Sequence, residues 1–494
     1  MSLSLVITLL NNVTVNVALP ELSKDLGADN TELQWIMDAY VVVFGGLLLV
    51  MGAFGDRFGR KGALLVGLSI VGLVSAITAE YATSSEQVIG ARAMMGLGAA
   101  LVMPATLSVI VVVFPPDERG KAVGVWVGMA GIGAPIGLLV GGWAVESFDW
   151  RAVFWINPPI IALAIALTVL LVPNSRDEAR NPMDPVGASL SVGALGLILY
   201  AIIEGPSLGW TSSRVLGLGM IGLILTFLFI RWERSTSHPM LPMEFFRNRG
   251  FSMGLVAISL AFFVMFSFMF TQMLHFQLVR GHSAFEAALR FLWLPLGLMP
   301  SAANSDRLCE RFGNNNVVSF GLSLIGVAML IFTSVERETD YAVLAAIFFL
   351  IGIGMGLTMA PSTTLVMDSI PHDKAGVGSA TNDASREVGG AFGIAIVGSA
   401  VNEIYQREME VPEGLEIHSE LVSESFPAAI QIGNELLARG NATGQELIVN
   451  AELAFVEGMT GAAAISAFVA IINAILVKMY MPRRLFEEES SDEK

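Results

Sequence analysis

Five charged residues stand where the surrounding sequence is otherwise apolar: Asp38, Arg92, Asp383, Arg386 and Glu387. A charge held within a hydrocarbon environment is costly and is kept there chiefly for function, so each is a candidate for handling a proton or a charged ligand. Asp38 lies three residues after the aromatic anchor Trp35, one turn inside an apolar run. In general burial disfavours an ionised carboxylate and a nearby guanidinium favours it, and an acid under both influences suits proton exchange. Arg92, whose side chain does not deprotonate at working pH, lies at a similar depth and is the natural fixed cation for such a site. The competing account of Asp38 is an interfacial acid that never leaves water. Arg386 follows Asp383 by three residues and shares its helix face, so a local ion pair and a coupling role both stand for that pair. Glu204, followed by Gly205 and Pro206, is predicted to face solvent.

Such residues need elements to hold them. Of 494 residues, 54% are hydrophobic and 15% charged, against the roughly one quarter charged that is usual in soluble proteins. Apolar stretches of about 20 residues, the length that crosses a bilayer core, recur from Leu3 to Met481. Only helices or closed barrels satisfy their backbone in lipid, and these runs lack the alternation of barrel strands. The fold class predicted is therefore an all-α polytopic membrane protein. Punctuation by charged residues, Pro and Gly gives fourteen helices, starting near Ser2, Trp35, Gly62, Gln87, Lys121, Arg151, Val186, Arg214, Phe251, Phe285, Val317, Tyr341, Gly376 and Phe455. Basic residues concentrate on one side of these spans, which predicts both termini in the cytoplasm.

The net charge of −16 gathers in the segment from Glu403 to Glu452 and in a tail from Glu487 to Glu493. Both are predicted to be solvated loops, with no nucleic-acid partner. The single cysteine, Cys309, excludes an internal disulfide. Five histidines show no metal-ligand spacing, and no nucleophile motif or phosphate-binding loop stands out. An enzyme, a metal site and a cofactor are accordingly not expected. The apolar N-terminus carries no cleavage pattern, so no cleaved signal peptide is predicted.

The chain resembles itself in parallel. Gly96, Gly98, Met103 and Pro104 recur as Gly352, Gly354, Met359 and Pro361, and Asp56-Arg57-Phe58-Gly59 recurs as Glu310-Arg311-Phe312-Gly313, at offsets of 254 to 257 residues. This predicts a six-helix half at 1–173, a linker with two inserted helices at 174–247, and a second half at 248–485. The second half includes an outer acidic loop at about 405–453, and an acidic cytoplasmic tail follows at 486–494. Parallel halves place a substrate site near the midplane and work by rocking, an arrangement that a channel does not need. The frame repeats while the charges do not: Phe348 matches Arg92, so architecture alone does not demand the arginine.

Between the second and third helices, Gly52, Asp56, Arg57, Gly59 and Arg60 form a loop in which Gly59 permits a tight reversal. Asp56 there is able to accept from the free amides of a helix N-terminus. With Glu310 and Arg311 this predicts a latch that forms in one conformational state and breaks in the other; the plainer account is that the basic residues merely fix orientation. Gly133, Gly137 and Gly141 share a helix face that admits a close neighbour, and Pro135 adds a kink. Phe266, Met269 and Met273 offer flat and adaptable apolar surface for a varied ligand, though many of their neighbours must face lipid. Asn11 joins them as a candidate cavity residue.

The run Gly52-Ala-Phe-Gly-Asp-Arg-Phe-Gly-Arg-Lys61 resembles the signature loop of the major facilitator superfamily. Arg92 with Gly96 and Gly98 resembles that superfamily's fourth-helix motif, and Gly128 to Gly142 its antiporter motif. With Asn16-Val-Ala-Leu-Pro20, the run from Gly378 to Gly390 and fourteen helices, the chain is similar to the fourteen-helix drug:proton antiporters. That resemblance implies a multidrug exporter of the cell membrane, functional as a monomer, whose partners are the lipid bilayer, a small-molecule substrate and protons. One departure stands out: Asn11 occupies a position where relatives commonly carry Asp, and an amide cannot hold the transported proton. A transporter of one specific metabolite, an importer, and a membrane receptor or sensor are the alternatives carried forward.

Overall fold

The computed structural model describes residues 1–26, 28, 30–175, 184–413, 415 and 419–483, and among them the regular elements are helical. The first half comprises α1 (Ser2–Leu26), α2 (Asn30–Phe58), α3 (Arg60–Tyr81), α4 (Ser85–Val113), α5 (Pro116–Ser147), the short α6 (Ala152–Trp155) and α7 (Asn157–Leu171). Next come α8 (Pro185–Leu208) and α9 (Ser213–Glu233). The rest comprises α10 (Arg249–Leu274), the short α11 (Ala284–Arg290), α12 (Trp293–Phe312), α13 (Asn314–Phe332), α14 (Tyr341–Asp368), α15 (Ala375–Glu408), α16 (Ser419–Glu424), α17 (Phe426–Ala438) and α18 (Thr443–Tyr480). Among the described residues, eleven helices are long and apolar enough to cross a membrane. The three other predicted spans fall on α1, α5 and α12, of 25, 32 and 20 residues.

Local chemistry sets the helix starts. Asp184, Ser212, Asn248, Ser283 and Asp340 each accept from an amide in the first turn that follows them, satisfying donors that have no intrahelical partner. Between α2 and α3 the chain reverses at Gly59 with φ +115°, and between α12 and α13 at Gly313 with φ +89°. Both conformations favour glycine, and they recur at the same place in the sequence repeat. The face carrying these reversals, with Arg57, Arg60 and Lys61, is called the basic face below.

Burial differs sharply between spans. In α4, 83% of the apolar window is buried within the protein, whereas in α9 the share is 17%, so α4 is a core helix and α9 turns most of its apolar surface outward. On α5, a Cβ at Gly133 would meet the Leu9 side chain at 2.9 Å and one at Gly141 the Thr14 backbone at 3.2 Å. The glycine face therefore holds α1 close. Gly137 is buried on the same helix; the side chain of Pro135 is outside the described residues.

Two sequence expectations need correction. The acidic stretch at 405–453 is not an open loop: α15 runs to Glu408, α16 and α17 form within the stretch, and α18 begins at Thr443 rather than near Phe455. Apolar residues at helical spacing explain it. The Phe426 ring stacks on Phe455 at 4.3 Å, the Tyr405 hydroxyl donates to the Val422 carbonyl, and Glu452 pairs with Arg337 at 2.6 Å. Glu403, Glu408, Glu410, Glu435 and Glu446 stay on the wet side, so composition alone mimicked a loop. Glu204 is buried rather than solvent-facing, because the end of α8 is covered by Trp210, which packs over Gly205 and donates to Ser399 of α15. The acidic tail at 486–494 lies outside the described residues.

Candidate functional site

In the first half, α4 delivers Arg92 into the interior, where it is 1% exposed. Its Nε donates to the Ile36 carbonyl at 2.9 Å and its Nη1 to the Asn11 carbonyl at 3.0 Å. The guanidinium lies 4.4 Å from the centre of the Tyr40 ring, a contact worth ~2 kcal/mol when desolvated. The Tyr40 hydroxyl in turn donates to the Thr8 carbonyl. Arg92 thus binds the backbones of α1 and α2 together. Asp38, two residues beyond Ile36 on α2, is half-buried. The Asn11 side chain is engaged by Asn157, whose Nδ2 donates to Asn11 Oδ1 at 2.7 Å and to Ser75 Oγ at 3.1 Å. It belongs to a polar knot inside this half and is not grouped with the Phe and Met residues of α10.

In the second half, α15 carries Asp383 and Arg386, 1% and 3% exposed, with Nη1 and Oδ1 3.5 Å apart. Asn382 and Thr363 add hydrogen bonds around them. Asp383 Oδ2 and Arg386 Nε find no partner among the described residues. Burying an incompletely paired charge is expensive, and aromatic faces offset part of that cost here. The Arg386 guanidinium lies 4.8 Å from the centre of Trp126, on α5 of the first half, and 5.5 Å from that of Phe262 on α10. Glu387 is half-buried one residue on. Each of the two buried arginines thus lies over an aromatic ring of the first half, Arg92 over Tyr40 and Arg386 over Trp126. Phe266 packs edge-on against Phe262 at 5.3 Å and over Gly390 of α15; Met269 and Met273 are half-buried on the same helix.

On the basic face the halves are joined. Asp56 Oδ1 accepts from Arg60 Nη2 at 2.6 Å and from the Gly376 amide at 2.9 Å, and its Oδ2 accepts from the Val377 amide at 3.1 Å. These amides belong to the first turn of α15, where an anion is favoured by both free donors and the helix dipole. Arg60 also donates to the His372 carbonyl at 2.8 Å. Gly52 is needed for this approach: a Cβ there would meet the Gly376 carbonyl oxygen at 2.5 Å. The second copy of the loop is used differently. Glu310 and Arg311 are exposed, and the acid that presses on α5 is Asp306, against Gly120. An ion pair between Arg119 of α5 and Asp368 of α14 adds a second fastening. Neither Asp306, Asp368 nor Arg119 stands out in the sequence as more than a loop charge. Tyr40 and Trp126 carry no sequence signal at all beyond being aromatic residues in apolar runs.

Residues 1–394 match the Major Facilitator Superfamily. The multidrug efflux pump LfrA of Mycolicibacterium smegmatis is 30% identical over 97% of this chain and 94% of its own length. The methyl viologen resistance protein SmvA of Salmonella typhimurium is 31% identical over 85% and 86%, and the methylenomycin A resistance protein of Streptomyces coelicolor 32% identical over 80% and 82%. The human organic anion transporter MFSD10 (TETRAN) shares the fold, with a TM-score of 0.58 over 95% of this chain and 97% of that one at 14% identity. With its repeated glycine reversals, its latch-type loop and this match across most of its length, the chain belongs to the Major Facilitator Superfamily and is a multi-pass membrane transporter.

Proposed function

We propose that the protein is a proton-driven exporter of small amphipathic or drug-like molecules, acting as a monomer in the cell membrane by alternating access. The basic face is the cytoplasmic one, with both termini on that side, as the distribution of Lys and Arg indicates. The observation that carries the proposal is the cross-interface contact of Arg386 with Trp126, next to the incompletely paired Asp383. A carboxylate whose cation is shared with an aromatic face of the other half feels any movement of the halves. When they part, Arg386 loses Trp126 and its balance with Asp383 changes, so proton occupancy and access state become linked. Asp38 and Glu387 are the further acids in reach of this interface, with Arg92 the fixed charge opposite. Asp56, Arg60 and the Arg119–Asp368 pair hold the cytoplasmic side shut in this state.

The names of the relatives support drug export as the direction and substrate class. The test is efflux of a substrate panel from cells lacking their own pumps, with and without a protonophore, together with uptake into inverted vesicles under an imposed proton gradient. Export of several unrelated cations or amphiphiles that collapses with the gradient supports the proposal. Efflux indifferent to the gradient overturns proton coupling, and activity on one metabolite alone replaces the multidrug assignment with a specific transporter.

A further inference from the structure

Between the end of α9 and the start of α10 the chain runs along the basic face from 234 to 248, with a 3-10 turn at Met243–Arg247. Beneath it lies a cavity of about 740 Å³. Arg234, His238 and Arg247 line it from the linker, and Lys374 lines it from the turn that precedes α15. Two acids also line it. Glu233 is occupied with holding the linker, its Oε2 accepting from the Leu241 amide at 3.0 Å and its Oε1 buried against Gly187 of α8. Glu244 is exposed, so the three permanent cations, Arg234, Arg247 and Lys374, exceed the two acids by one.

We propose that this cavity is a binding site for the phosphate headgroup of an anionic phospholipid of the cytoplasmic leaflet. The chemistry recognised is a phosphodiester anion, which guanidinium forks grip in two-point fashion, and basic pockets beside transmembrane helices on this side of a membrane suit such headgroups. A lipid, rather than a soluble phosphate, is indicated by what adjoins the cavity. α9 ends at the cavity with Glu233; of the eleven apolar spans among the described residues it has the smallest buried share, and Ile224, Phe227 and Leu228 are exposed along it. At its foot stands Trp232, whose Nε1 donates to Asp184 at 2.7 Å, an indole tethered at the level where aromatic belts meet headgroups. Acyl chains lying along α9 bring a headgroup to Arg234 and Arg247.

Occupancy also bears on the closed cytoplasmic face. The same linker seats Met240 and Leu241 against Leu49 and Ala53 of α2 and against Val377 and Ala380 of α15, across the seam that the latch closes. Lys374 Nζ reaches the Pro239 carbonyl, and the turn that carries Lys374 supplies the carbonyls that Arg60 grips. A headgroup held jointly by the linker and Lys374 fastens that seam.

Native mass spectrometry of the full-length protein in detergent tests the site, comparing phosphatidylglycerol with phosphatidylcholine of identical chains. Wild type is expected to retain phosphatidylglycerol preferentially. At roughly fivefold per surface cation, the Arg234→Gln/Arg247→Gln double variant should lower that preference about twenty-five-fold. Arg234→Lys/Arg247→Lys should keep most of it, and Arg307→Gln, an exposed charge of the same face outside the cavity, should leave it unchanged. A preference that survives the double variant, or that falls equally in Arg307→Gln, overturns the site. Displacement of phosphatidylglycerol by millimolar glycerol phosphate overturns the assignment to a lipid.

Discussion

Replacing Asp56 by Asn tests the latch most directly. Of the groups around the carboxylate, Arg60 lies just across the Gly59 reversal in the same half and accompanies Asp56 in either access state. The state-dependent contacts are the two amides of α15, Gly376 and Val377, at 2.9 and 3.1 Å. Hydrogen bonds to a charged group contribute ~1.5 kcal/mol each, and the helix terminus adds up to ~1 kcal/mol. These contributions are already net of water, and a neutral side chain that keeps one of the two bonds forfeits ~2 kcal/mol of the preference for the closed form. Asparagine retains a single acceptor, and its amide nitrogen points a donor at a donor. The equilibrium between closed and open cytoplasmic faces should therefore move about thirtyfold towards open. Spin labels at Phe58 and Arg311, both exposed, report that separation by pulsed distance measurement once Cys309 is replaced by Ser. A folded Asp56→Asn protein whose distance distribution matches wild type would refute the reasoning and reduce the loop to an orientation anchor.

Asp38→Asn should abolish uphill, proton-linked transport while substrate binding persists, as measured by vesicle uptake and by binding to purified protein; unimpaired coupling removes Asp38 from the proton path. For Arg92, Lys should retain partial transport because it keeps a cation over Tyr40, whereas Gln should lose transport. A wild-type pH profile in both folded variants leaves Arg92 as a fastener of α1 and α2 alone. Arg386→Gln strands Asp383 without its cation and should cost ~3 to 5 kcal/mol of stability, seen as a fall in thermal midpoint. Adding Asp383→Asn should restore most of that stability but not proton-linked transport, and a double variant that couples normally would show the pair to be structural.

The helices were legible because each span must satisfy its own backbone in lipid, so length and punctuation alone locate it. The reversal at Gly59 and the helix-terminus contact of Asp56 were legible for a similar reason, both being local requirements. What local pattern could not supply is the pairing across the interface. Arg92 was expected to face Asp38, yet its hydrogen bonds go to the Ile36 and Asn11 carbonyls, and backbone acceptors leave no mark in a sequence. Tyr40 and Trp126 acquire their importance from the cations laid over them. The contact of α12 with α5 went unseen because Asp306, four residues ahead of the repeated motif, replaces Glu310 as the acid against α5. The helices at 419–438 were missed because abundant glutamate outweighed the apolar spacing of Val422, Phe426 and Ile430.

The partners of the buried cations have a consequence for how the chain is made. Arg92 relies on carbonyls of α1 and α2, and Arg386 on Thr363, Phe262 and Trp126; every one of these precedes it in the chain. An arginine within a membrane helix inserts against a cost that reaches ~3 kcal/mol at the centre, and α4 and α15 each arrive after the groups that offset it have been made. Synthesis order thus shelters both charges during insertion. Ribosome-released fragments with α1 and α2 deleted should therefore insert α4 less completely than fragments that retain them, as a glycosylation tag at the end of α4 would record.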